Sequence, residues 1–155
     1  MGTLEIISRT PKMVHSLRKL VNYQLEVLVV ETIKRIDINS VVDPTLHECV
    51  LATSSTGRVN PDAVMGERLR KLSEELDDEY FTLLEGGEKE SLWSAKFKAA
   101  RIAFALSEVS QGVRLENVAD FIYEMAHGHD SPETFLEKTE NLIDQIASGN
   151  AGPQT

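Results

Sequence analysis

Apolar residues return at three- and four-residue intervals along most of this chain, the spacing that places them on one helix face. The densest case runs from Glu88 to Gln111. Leu92, Ala95, Ala99, Ile102, Leu106 and Val109 form one stripe there, with Trp93, Phe97, Ala100 and Phe104 beside it. Ser94, Lys98, Arg101 and Glu108 fall on a narrow polar strip. A helix apolar around most of its girth is expected to be wrapped by others, so 88–111 reads as the central helix of an all-α bundle of about six to eight helices.

Prolines and glycines divide the rest. Thr10-Pro11, Asp43-Pro44, Asn60-Pro61 and Ser131-Pro132 each join a helix-capping residue to a proline suited to the first helical position. Gly57, Gly86-Gly87, Gly112, Gly128 and Gly149 mark stops. The first helix is predicted over Pro11 to Arg35, with Met13, Val14, Leu17, Leu20, Val21 and Leu28 on one stripe. Leu25, Val29, Ile33 and Ile36 point well away from it, and their β-branched run makes a strand the competing reading. As a helix, this half needs a second burial partner. That is the case for a homodimer packed around Val29 and Ile33.

Pro44 to Ser54 reads as a short helix, with Leu46, Cys49, Val50 and Thr53 on one side. Pro61 to Glu85 is amphipathic through Met65, Leu69, Leu72, Leu76, Tyr80 and Leu83, with the run Glu74, Glu75, Asp77, Asp78, Glu79 mostly opposite. Helices over Leu115–His127 and Pro132–Ala147 complete a single domain spanning 1–149, followed by a polar tail, 150–155.

Charge then narrows the function classes. With 25 acidic and 16 basic residues the net charge is −9, which repels phosphate backbones and argues against nucleic-acid binding. One cysteine, Cys49, rules out an internal disulfide or thiolate cluster and suits a reducing, cytoplasmic setting. No apolar run approaches the roughly 20 residues of a membrane span, so no transmembrane anchor is expected.

Catalytic and metal motifs are missing from the pattern. There is no phosphate loop, GxSxG elbow or HExxH, so neither an enzyme nor a cofactor is expected. His127, His129 and Asp130 cluster at a helix end, where dipole complementation and capping explain them better than metal binding. Asp43, His47 and Glu48 are a weaker gathering of the same kind. Cys49, on an apolar face, reads as a small buried hydrophobe. Lys96 stands out, projecting into the apolar arc of the central helix beside Trp93, Ala100 and Ala103. A snorkelling or carboxylate-paired lysine is the bland explanation; a groove cation is the functional one.

Several short segments then resemble the Bcl-2 family of apoptosis regulators, in the family's order. Leu20-Val21-Asn22-Tyr23-Gln24-Leu25 is similar to its fourth homology segment. Two stretches compete for the third: Leu69-Arg70-Lys71-Leu72-Ser73-Glu74, locally closer, and Leu46-His47-Glu48-Cys49-Val50, better spaced and preferred. Ala100-Arg101-Ile102-Ala103-Phe104 resembles part of the first, with Trp93-Ser94-Ala95-Lys96 as the rival register. Ser131 to Glu137 approaches the second. Short length and eroded motifs look most like a viral homologue, acting in a host cytosol.

The resemblance implies an inhibitor of apoptosis that holds a pro-apoptotic, BH3-type amphipathic helix in an apolar groove. Groove walls would come from the helices at Pro44–Ser54 and Pro61–Glu85 and from the start of the central helix. The groove residues implied are Trp93, Val50, Met65, Leu69, Leu72, Tyr80, Phe81 and Leu84. The cation facing the ligand's acid would be Arg101, or Lys96 in the other register. The alternative, drawn from net charge and the acidic run, is an acidic immunity or decoy protein that blocks a basic partner enzyme.

Overall fold

The computed structural model describes residues 12–41 and 43–149, and every regular element among them is helical. The Thr10-Pro11 start and the tail at 150–155 lie outside the described residues. Residues 12–17 form α1. There follow α2 (Asn22–Lys34), a 3₁₀ turn (Ile38–Ser40), α3 (Pro44–Thr56), α4 (Ala63–Glu85), α5 (Glu90–Val109), α6 (Leu115–His127) and α7 (Pro132–Ala147).

Capping chemistry explains most boundaries. The Asp43 carboxylate accepts from the Leu46 N–H at 3.1 Å ahead of Pro44, and the Ser131 hydroxyl accepts from the Thr134 N–H ahead of Pro132. The start predicted at Asn60-Pro61 falls later. Asp62 is the cap, accepting from the N–H groups of Val64 and Met65 at 3.0 and 3.1 Å, so α4 begins at Ala63. A carboxylate that meets two orphan amides outweighs the preference of proline for the first position.

The helix predicted over Pro11–Arg35 is broken at 18–21. The Gln24 side-chain oxygen accepts from the Val21 N–H at 3.0 Å, and its amide donates to the Ile146 carbonyl at 3.2 Å, pinning the start of α2 to the end of α7. The break lets two divergent apolar sets share one core. Met13, Leu17 and Leu20 are buried in it together with Leu25, Leu28, Val29 and Ile33. Val29 and Ile33 are therefore filled from within the chain, and the face that suggested a second copy is not free. The strand reading of this run is replaced by helix.

Within the core, α6 packs on α5, α7 and α2, while α2 also meets α3 and α7. Phe121, Ile122, Met125, Leu28, Leu46 and Ile143 are fully enclosed. The stretch expected to be wrapped throughout is divided. From Ala100 onward α5 carries Ala100, Ala103, Ala105, Leu106 and Val109 into the core; none of residues 90–99 is buried. That first half runs back along α4 in an antiparallel hairpin, turned at Gly87 with a positive φ of 70°.

Candidate functional site

One side of this hairpin, with the start of α3, encloses a groove of about 690 Å³. Its α4 wall is Leu72, Glu75, Leu76 and Glu79, and its α3 wall is Asp43 and Leu46. Along α5 it meets Ser91, Ser94, Ala95, Lys98, Ala99 and Ile102. The space exists because Ala95 and Ala99, one helical turn apart, present only methyl groups between bulkier neighbours. Leu46 and Leu76 form a buried apolar floor. Its volume lies within the roughly 300–1,000 Å³ range of ligand pockets.

Charges of both signs edge the groove. Lys96 Nζ pairs with Glu79 Oε2 across the hairpin at 2.7 Å, both side chains half-exposed. Lys98 pairs with Asp130, whose hydrogen bond and charge hold that carboxyl below its usual range. Lys96 therefore has both the position and the carboxylate partner that the sequence left as alternatives.

Arg101 points elsewhere. Its guanidinium donates from Nη2 to Asp77 Oδ2 at 2.5 Å and from Nη1 to Glu124 Oε2 at 3.1 Å, and it sits 5.7 Å from the centre of the Phe97 ring. It joins α4, α5 and α6 inside the fold. Of the other residues named for the groove, Leu72 lines it. Val50 is core. Met65 and Leu69 border a separate cavity of about 190 Å³ with Cys49, where burial and then Glu48 push the thiol up and keep it protonated. Tyr80, Phe81, Leu84 and Trp93 are not among the groove-lining residues. Leu46, Leu76, Ala95, Ala99 and Ile102 were not singled out as site residues from the sequence; the Ala95–Ala99 spacing within a bulky helix was the available signal.

The histidine cluster is resolved into local bonds. His127 Nδ1 lies 3.1 Å from the Tyr123 carbonyl and His129 Nδ1 lies 2.6 Å from that of Met125. Among the described residues no three His, Cys, Asp or Glu side chains gather as a metal-ligand set.

Two partly buried carboxylates outside the groove lining carry a pH signature. Burial raises Glu124 above 4.5, against the pull of Arg101; burial and then Asp120 raise Glu108, against Arg70. At these sites the folded state binds protons more tightly than the unfolded chain. Their contribution to stability is therefore expected to fall as pH rises from 4.5 through the raised values. Asp130 acts oppositely, but only as pH drops below 3.8. Urea melts between pH 4.5 and 7 check this, with Glu108→Gln flattening the slope.

No protein-family model, curated protein or solved structure matches this chain. Among the described residues no helix is long and apolar enough to cross a membrane.

Proposed function

We propose that this chain is a helix-binding inhibitor of apoptosis of the Bcl-2 kind, holding the apolar face of a pro-apoptotic BH3-type helix in the groove. The observation that carries the reading is where the groove lies. It runs between the start of α3, the middle of α4 and the first half of α5, the walls that the sequence resemblance implies. An amphipathic helix would set apolar side chains against Leu46, Leu72, Leu76 and Ile102, burying surface at about 25 cal/mol per Å². Its acid would meet Lys96, displacing Glu79. A lysine lacks the bidentate fork of arginine, so this contact adds little geometric selectivity.

Calorimetric titration with a panel of BH3-type peptides tests the reading. Wild type is expected to bind at least one member of the panel. Ala99→Phe, which fills the groove from its α5 wall, is expected to weaken that binding by roughly tenfold or more, the equivalent of about 1.4 kcal/mol. Circular dichroism should show the fold unchanged. Failure of every peptide to bind, or full affinity in Ala99→Phe, would overturn the proposal.

A further inference from the structure

The opposite flank of the hairpin holds a second feature. Tyr80 is the hub of an aromatic cluster, its ring centre 4.9 Å from Phe81, 5.9 Å from Trp93 and 5.2 Å from Phe97. Its outer edge is open: Phe81 is 54% exposed and neighbouring Leu84 41%, while Tyr80, Trp93 and Phe97 are partly buried. At 100° per residue Phe81 projects about 160° away from Glu79 on α4, so this face and the groove turn away from each other.

The setting is acidic. Glu74, Asp78 and Glu85 stand seven and three residues before Phe81 and four after it, on the same helix face. All three are exposed, and none has an ion-pair partner among the described residues. Among the cations around it, Lys71 stands three residues before Glu74 on α4 and Arg101 is already held by Asp77 and Glu124, so the face keeps an acidic excess.

We infer that this face docks a basic amphipathic helix of a partner protein. Its apolar residues would cover Phe81 and Leu84, and its Arg or Lys side chains would meet Glu74, Asp78 and Glu85. Charge complementarity selects this occupant over a second copy of the chain, which at −9 would bring like charges together. The inference is independent of the groove reading.

Trp93 is the sole tryptophan, so its fluorescence reports on this face. The probe is a 15-residue helical peptide with leucine on one face and arginine on the other, at roughly 20 and 200 mM salt. Saturable change in Trp93 emission is expected. Apparent Kd should rise about tenfold or more in Phe81→Ser and again in Asp78→Lys, and rise with salt. Groove-filled Ala99→Phe should bind the peptide as wild type does. Loss of binding in Ala99→Phe would place the peptide in the groove and overturn the inference. So would equal affinity in Phe81→Ser, which marks unspecific charge attraction, or sedimentation of the free chain as a dimer through this face.

Discussion

Phe121→Ala is expected to lower stability by about 3–5 kcal/mol, the cost of removing a large aromatic from a packed core. Phe121 is fully enclosed on α6, the helix that packs on α5, α7 and α2. Truncation there leaves a cavity bordered by several rigid elements, which limits how far the site can collapse. For a chain of this size the thermal midpoint should fall by roughly 6–20 °C. Scanning calorimetry checks the value, and Phe121→Leu should recover much of the loss because it keeps most of the volume. A midpoint within about 2 °C of wild type in Phe121→Ala would show that α6 is not a core helix.

Arg101→Met should act on the fold rather than on ligand binding. The change keeps an apolar stem beside Phe97 and removes the charge between Asp77 and Glu124. The Glu124 and Asp77 side chains are only 14% and 29% exposed, so one mostly buried and one partly buried carboxylate would be left unpaired. Removing one partner of a buried pair costs about 3–5 kcal/mol, and partial exposure places this site at the lower end. Adding Asp77→Asn and Glu124→Gln should restore part of the loss, since the orphaned charges go with them. Peptide affinity in the groove should stay within about twofold of wild type. A variant of wild-type stability that binds peptide tenfold more weakly would return Arg101 to the ligand and contradict the pairing.

The contrast between the two cations shows how far sequence carried the site. Lys96 and Arg101 were separable on a helical wheel as pointing in different directions, and they do. Which one meets open surface depended on where α4 and α6 lie. Arg101 is covered because Asp77 and Glu124, 24 residues before it and 23 after it, converge on it. Spacings that long carry no periodic signal. The aromatic residues failed for a related reason: the resemblance implied Tyr80, Phe81 and Trp93 for the groove, but α4 carries Tyr80 and Phe81, and α5 carries Trp93, outside the groove lining.

Helix identity and most boundaries were legible because they arise from local physics. Apolar spacing, prolines after Asp43 and Ser131, and the turn at Gly86-Gly87 act within a few residues. Local rules also misled where two caps competed, at Asn60 and Asp62, and where an unbroken pattern concealed the turn at 18–21. By itself the sequence determined an all-helical chain, its acidic balance and a helix pair joined at Gly87. Tertiary structure alone decided that Val29 and Ile33 face inward, that α5 is buried only from Ala100, and that a groove opens beside Ala95 and Ala99. Burial and concavity belong to the relative placement of distant elements, which packing of the whole chain sets at once.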